Sequence, residues 1–140
     1  MTTRPSVLFV CSKNGGKSQM AAALMRQLAG DQIEVHSAGT KPGAAINAES
    51  AAAVAEVGAD MSGRLPKAID PELLRRVDRV VVLGTEAVVD PVAGMRGSIV
   101  TWETVEPSRD GIEGIDRMRL IRDDIAARVR YLAAELTHDN

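Results

Sequence analysis

A cysteine, a pair of glycines and a cation lie within eight residues near the start of this 140-residue chain, in the stretch CSKNGGKS at residues 11–18. The apolar run VLFV directly precedes it. Gly16-Lys17-Ser18 matches the end of a nucleotide-binding phosphate loop. Cys11, in contrast, is a nucleophile six residues before a cation, the combination that covalent catalysis on an anionic substrate needs. The two interpretations predict different proteins.

The nucleotide-loop interpretation fails at its first position. That loop requires glycine five residues before Gly16, and this chain has Cys11 there. The predicted strand DRVVVLG, residues 78–84, ends in glycine with no carboxylate at its tip to hold Mg²⁺. We therefore disfavour a nucleotide hydrolase.

The thiol interpretation fits the chemistry of the same stretch. A loop that runs from a strand end into a helix N-terminus directs backbone N–H groups at an anion, and the same groups stabilise a thiolate. Glycines let the backbone turn and approach an oxyanion closely. Lys17 supplies a positive charge, and the Ser18 hydroxyl is able to donate to the thiolate. The predicted nucleophile is Cys11, and the predicted oxyanion-binding residues are Ser12, Lys13, Asn14, Gly15, Gly16, Lys17 and Ser18.

Strands and helices alternate along the chain, which places this loop in a parallel sheet. Short β-branched or apolar runs predict strands at residues 6–10, 32–40, 78–84 and 97–102. Helical periodicity predicts helices at 17–30, 47–57 and 114–136, and a short one opened by Pro71. The pattern indicates a single α/β domain over residues 1–140, a doubly wound four-stranded parallel sheet with flavodoxin-like layering. Ligands bind beyond the carboxyl ends of such strands, where Cys11 lies.

Composition narrows the class of protein. The net charge of −2 and only three aromatic residues argue against a nucleic-acid partner, and no apolar run is long enough to span a membrane. A single cysteine excludes an internal disulfide and a cysteine-rich metal site. The N-terminus shows no cleavable leader pattern. We expect a cytoplasmic protein with no membrane partner.

Three stretches carry a family resemblance: VLFVCSKNGGKSQMAAAL at 7–24, HSAGT at 36–40 and GADMSGRLPKAID at 58–70. They resemble the low-molecular-weight tyrosine phosphatase fold and, more closely, the arsenate reductases that share it. NGGKSQMA with a lone cysteine, and IDPELL at 69–74, are most similar to the arsenate-mycothiol transferase branch.

The resemblance implies an arsenate site at the Cys11 loop, with phosphate or sulfate as analogues, and a bracing role for Asn14. It implies no bound cofactor, mycothiol as co-substrate and a mycothiol-dependent redoxin that later releases arsenite. Because the chain lacks further cysteines for a disulfide relay, an external thiol must complete the reduction. Glu106, of the pair Glu106-Pro107, takes the place of the family's Asp-Pro general acid. Three other acids remain candidates for that role: Asp110, Glu113 and Asp116.

Two departures from the family pattern keep alternatives open. Lys17 stands where the family usually has arginine, so the oxyanion meets a point charge instead of a bidentate fork. No tyrosine follows Glu106-Pro107. A protein-tyrosine or small-molecule phosphatase is one alternative. A non-catalytic oxyanion-binding or redox-sensing thiol module is the other.

Overall fold

The computed structural model describes residues 4–138, which form four strands and four helices. The strands are β1 (Ser6–Cys11), β2 (Glu34–Gly39), β3 (Arg79–Leu83) and β4 (Ser98–Trp102). The helices are α1 (Lys17–Ala29), α2 (Ala48–Ala55), α3 (Pro71–Arg76) and α4 (Gly114–Thr137). Each lies where the sequence predicts it, with ends shifted by one or two residues.

The strands pair in parallel in the order β2-β1-β3-β4. This confirms the predicted four-stranded, doubly wound sheet. β1 lies between β2 and β3 and is buried along its whole length, as expected for a continuous apolar run. Its last residue, Cys11, lies opposite Gly39 of β2, so the following loop emerges at the carboxyl edge of the sheet.

Side chains at alternate positions of β1 pack into two separate hydrophobic cores. Val7 and Phe9 belong to the larger one, with buried residues of α1, α2 and α4. Leu8 and Val10 belong to the smaller one, with residues of α3. Successive strand side chains point to opposite faces, so β1 is clamped from both sides. The Cys11 loop is therefore attached to the most rigid strand of the fold.

Side-chain caps begin the two short helices. The Asn47 side chain accepts a hydrogen bond from Ser50 N at 2.8 Å, which confirms the predicted start of α2. The Asp70 side chain caps α3, and Pro71 occupies its first turn. α2 ends at Ala55, and the predicted stop, Gly58, adopts a left-handed φ of 89° just beyond it. Between residues 4 and 138, no helix is both long and apolar enough to cross a membrane.

Candidate active site

The loop between β1 and α1 has its carbonyl groups fixed by the segment that follows β2. The hydrogen bonds run from Thr40 N to Cys11 O (3.1 Å), Lys41 N to Ser12 O (2.8 Å), Gly43 N to Lys13 O (2.9 Å) and Asn47 N to Gly15 O (2.7 Å). In a trans peptide the N–H of the next residue points the opposite way. The N–H groups of residues 12, 13, 14 and 16 are thus directed away from that segment. They line a concave site that suits an oxyanion.

The Cys11 thiol lies at the base of this loop and is 9% exposed. Asn14 N donates to its Sγ at 3.3 Å, which shows directly that a loop N–H points inward. Its Sγ also lies 2.9 Å from the Ser18 hydroxyl in the first turn of α1. Donors at these positions, together with the positive end of the α1 dipole, stabilise negative charge on sulfur.

Asn14 braces the loop from within. It is fully buried, with a left-handed φ of 55°. Its Nδ2 donates to Ser18 Oγ at 2.8 Å, and its Oδ1 accepts from Lys67 N (3.0 Å) and Gln19 Nε2 (3.2 Å). The side chain therefore ties the loop to α1 and to the segment before α3.

Gln19 and Lys67 were not identified from the sequence as site residues. Gln19 is fully buried in α1, and its Nε2 also donates to Leu65 O at 3.3 Å. A polar residue on the buried face of a predicted helix was the available signal. Lys67 gave no comparable signal because its contact with Asn14 spans 53 residues.

Two glycines are required by close packing around the loop. A Cβ on Gly39 would lie 2.7 Å from Ser12 O and 3.0 Å from the Asn14 Cβ. A Cβ on Gly15 would lie 2.9 Å from Ala45 O. Gly16 meets only the Ser50 hydroxyl at 3.6 Å, an ordinary contact. Close packing against Ala45 O therefore adds a reason for glycine at position 15, and it identifies Gly39, which the sequence did not single out.

Lys17 is the first residue of α1 and is half-buried. Within residues 4–138, neither Lys17 nor the exposed Lys13 has a carboxylate within ion-pair distance. Their charges are therefore available to an anion in the loop. The role of Lys17 as the positive charge that meets the oxyanion stays a prediction.

Glu106 is fully engaged in other contacts. Arg117 holds it bidentately, with Nη2 to Oε1 at 2.7 Å and Nε to Oε2 at 2.8 Å. The Ser108 hydroxyl and N–H also donate to Oε2, at 2.6 and 3.1 Å. The Arg117 and Ser108 hydrogen bonds lower the pKa of Glu106 far below its ordinary value. In this arrangement Glu106 is a carboxylate without a proton to give, which does not suit the predicted general acid.

The other candidate acids differ in how free they are. Asp116 pairs with Arg119 at 3.0 Å, whereas Asp110 and Glu113 are exposed.

Among residues 4–138, no group of three or more His, Cys, Asp or Glu side chains is arranged to hold a metal ion.

Contacts also define the surroundings of Ser37 and of the neighbouring arginines Arg75 and Arg76. The Ser37 hydroxyl accepts from Lys67 Nζ at 3.2 Å, so it is joined to the loop only indirectly, through the Lys67 backbone. Arg75 and Arg76 pair with carboxylates, Arg75 with Glu72 and Arg76 with Glu34. These two arginines therefore do not form a free basic patch for an anionic cofactor.

Comparisons with known proteins agree with this geometry. The chain is 33% identical over 133 residues to an arsenate reductase of Halalkalibacterium halodurans, covering 91% of this chain and 94% of that protein. A solved thioredoxin-dependent arsenate reductase of Corynebacterium glutamicum superposes with a TM-score of 0.82 at 30% identity, covering 99% of this chain and 65% of that one. An arsenate reductase solved in its phosphate-binding state gives 0.82 at 28% identity, covering 95% and 99%.

Residues 6–140 match the family model described as low molecular weight phosphotyrosine protein phosphatase. The match includes β1, the Cys11 loop and all four helices. It agrees with a cysteine at the base of an oxyanion loop and with the resemblance of the three sequence stretches. On this match and on the relative that is 33% identical over most of its length, the chain belongs to the low molecular weight phosphotyrosine protein phosphatase family.

Proposed function

We propose that this protein is a thiol-dependent arsenate reductase that acts as an arsenate-mycothiol transferase. The observation that carries the proposal is the lone Cys11 at the base of a loop whose N–H groups face inward. Relatives of similar length named arsenate reductases support the choice of substrate. A related arsenate reductase solved in a phosphate-binding state supports a tetrahedral oxyanion as the ligand.

The proposed chemistry has two stages. A thiolate, from Cys11 or from mycothiol, attacks arsenic, a sulfur–arsenic bond forms, and one arsenate oxygen leaves as water after protonation. Where Cys11 attacks first, the mycothiol thiolate then attacks arsenic, the bond between arsenic and Cys11 breaks, and the Cys11 thiolate is regenerated. Arsenic is still pentavalent in the arseno-mycothiol adduct. A redoxin thiolate then attacks the adduct's sulfur, the sulfur–arsenic bond breaks, and its electron pair reduces arsenic to arsenite. The two thiols end as a mixed disulfide.

The source of the second thiol follows from the cysteine count. The chain has one cysteine, so no disulfide can form within it. A second thiol must enter from outside and reach Cys11 through the mouth of the loop. We assign that role to mycothiol, and place the reaction in the cytoplasm because thiols are kept reduced there.

The general acid remains a prediction. Glu106 delivers a proton only after its ion pair with Arg117 opens, because Arg117 and Ser108 hold it as a carboxylate. Binding of arsenate and thiol at the loop is the step at which we expect that exchange. Asp110 and Glu113, both exposed, are the alternatives.

The family description favours a second candidate, hydrolysis of aryl phosphates. Lys17 opposes it, since a lysine ammonium holds the transferring phosphoryl group with less geometric control than arginine. Lys17→Arg supplies a guanidinium group that is able to bind the phosphoryl oxygens bidentately. We expect that variant to hydrolyse an aryl phosphate at least about tenfold faster than the unaltered protein, equivalent to about 1.4 kcal/mol in the barrier.

A coupled assay tests the proposed function. Arsenate and purified protein are combined with mycothiol and a mycothiol-specific redoxin, with thioredoxin and its reductase, or with an aryl phosphate. Cys11→Ser is the control in each. Arsenite formed only with mycothiol, and lost with Cys11→Ser, supports the transferase. Arsenite formed with thioredoxin alone retains the reductase and rejects mycothiol. Hydrolysis of the aryl phosphate without arsenite assigns the protein to the phosphatases, and no turnover in any arm leaves a binding or sensing module.

A further inference from the structure

Three cations, Arg26, Arg64 and Lys67, gather near the outer edge of β2. β2 is an edge strand, and the bonds from Glu34 N and Thr40 N to the β1 side show that its even-numbered residues face β1. Val35 and Ser37 therefore present their backbone groups outward. Arg26 Nη2 donates to Val35 O at 3.4 Å, and Lys67 Nζ donates to Ser37 Oγ at 3.2 Å.

These contacts place a guanidinium beside Val35 and an ammonium beside Ser37, two positions apart along β2. Arg64 lies three residues before Lys67 on the same segment. Burial, and then the charges of Arg26 and Arg64, lower the pKa of Lys67. Burial, and then the charge of Arg64, lower the pKa of Arg26 to about 10. The three cations are thus close enough to repel one another.

Within the described part of the chain, Asp60 is the carboxylate that faces this cluster: hydrogen bonds from Ser62, and then the charge of Arg64, lower the pKa of Asp60, but the two make no ion pair. Eight arginines elsewhere are paired with carboxylates, namely Arg75, Arg76, Arg79, Arg96, Arg117, Arg119, Arg122 and Arg128. Arg26, Arg64 and Lys67 make no such pair among residues 4–138. In addition, Arg26 Nη1 is buried and has no hydrogen-bond partner there. A buried guanidinium nitrogen without an acceptor is costly unless a ligand completes its contacts.

We propose that Arg26, Arg64 and Lys67 form a second binding site for a phosphate-type tetrahedral oxyanion, distinct from the Cys11 loop. A tetrahedral oxyanion is able to accept charge-assisted hydrogen bonds on several oxygens at once. A compact multivalent anion fits better than an extended acidic peptide, because the three charges lie in one cluster.

Lys67 connects the second site to the Cys11 loop. Its ammonium group belongs to the cation cluster, and its backbone N–H donates to Asn14 Oδ1 at 3.0 Å. Asn14 in turn contacts Ser18 and the Cys11 thiol. An anion that fixes Lys67 therefore also fixes the brace of the loop. The proposal concerns binding, and does not depend on arsenate being the substrate.

Titration with inorganic phosphate or sulfate, followed by amide NMR signals at constant ionic strength, tests the proposal. Signals of residues 12–18 report the Cys11 loop, and signals of residues 35–37 and 64–67 report the second site. Arg64→Gln removes an exposed cation of the cluster with little risk to folding. Arg130→Gln is the matched control, because Arg130 is also exposed and has no carboxylate partner among residues 4–138.

We expect the two groups of signals to follow separate saturable curves. Arg64→Gln should weaken binding at the second group at least about tenfold, the equivalent of one charge-assisted hydrogen bond, and should weaken binding at the loop by much less. Arg130→Gln should change neither. The proposal is overturned if residues 35–37 and 64–67 show no saturable shift, or if both variants weaken them equally. Arsenate reduction by Arg64→Gln is measured separately, without added phosphate. A failure of the second-site proposal is then distinguishable from a failure of the proposed arsenate reduction.

Discussion

Asn14 offers the sharpest test of how the loop is held. Asn14→Ala removes three buried hydrogen bonds at once, those with Ser18, Lys67 and Gln19. Two of these partners keep another contact, since Ser18 still meets Cys11 and Gln19 still meets Leu65 O. The Lys67 N–H is the group left without its acceptor. The substitution also places alanine at a φ of 55°, which asparagine tolerates better.

These contributions give an expected loss. Three hydrogen bonds at a net 0.5–1.5 kcal/mol each amount to roughly 3 kcal/mol, and the left-handed backbone adds about 1 kcal/mol. Asn14→Ala should therefore lower the free energy of unfolding by about 4 kcal/mol. Asn14→Gly, which is relaxed at positive φ, should lose about 1 kcal/mol less despite glycine's greater backbone entropy in the unfolded chain. Asn14→Asp keeps both acceptor contacts but puts a carboxylate at a fully buried position without a cationic partner, so it should lose at least as much stability as Asn14→Ala, and its charge should oppose an oxyanion in the loop.

Urea unfolding of the three variants measures these differences, and titration with phosphate measures the loop. Asn14→Gly is expected to be the most stable of the three variants, ahead of Asn14→Ala and Asn14→Asp, with phosphate binding weakened in all three. A loss below about 1 kcal/mol for Asn14→Ala would refute the bracing role. Equal losses for alanine and glycine would refute the contribution of the left-handed backbone.

Three further predictions follow from the same contacts. Gly39→Ala should lower the free energy of unfolding in urea by about 1–3 kcal/mol and weaken phosphate binding, because the added Cβ would collide with Ser12 O. Gly43→Ala is the control and should be tolerated, because the nearest atom to its Cβ is 3.7 Å away. Equal effects of the two substitutions would contradict the packing argument. Ser18→Ala should slow alkylation of Cys11 by iodoacetamide several-fold at neutral pH, since it removes the hydroxyl 2.9 Å from Sγ, and an unchanged rate would show that this contact does not stabilise the thiolate. Arg117→Gln should cost roughly 0.5–1 kcal/mol at neutral pH. The pKa of Glu106 is lowered in the folded protein, so the stability difference between the unaltered protein and Arg117→Gln should be intact at pH values above the ordinary carboxylate pKa and should shrink in strongly acidic solution. Thermal unfolding across this pH range measures it. A difference that grows on acidification would contradict the ion pair.

The sequence predicted the fold well because its signals are local. Apolar runs, Asn47, Pro71 and the terminal glycines each act within a few residues, and they define nearly every strand and helix. The Cys11 loop was accessible for the same reason, since its nucleophile, glycines and cation lie within eight residues. Contacts across long stretches of chain were not accessible.

The Lys67 and Gln19 contacts illustrate that limit. Lys67 bonds to Asn14 across 53 residues, and Gln19 bonds to Leu65 across 46. Gly39 looked like an ordinary strand end, and only the structure shows Ser12 O packed against it. Glu106 was identified by its position beside Pro107, but nothing in the local sequence revealed that Arg117, 11 residues further on, would bind both its oxygens.

The loop and the cysteine count together divide the reaction between this chain and another molecule. The fold holds inward N–H groups and a thiol that contacts Ser18, and among residues 4–138 Lys17 has no carboxylate within ion-pair distance. What reduction additionally requires, a second sulfur to accept attack and release arsenite, has no counterpart in a chain with a single cysteine. Since the loop's carbonyls are fixed by the backbone of residues 40–47, the site does not need the second thiol in order to form. The external thiol should therefore affect turnover and leave oxyanion affinity unchanged, which separates a transferase of this kind from an enzyme whose partner completes the binding site.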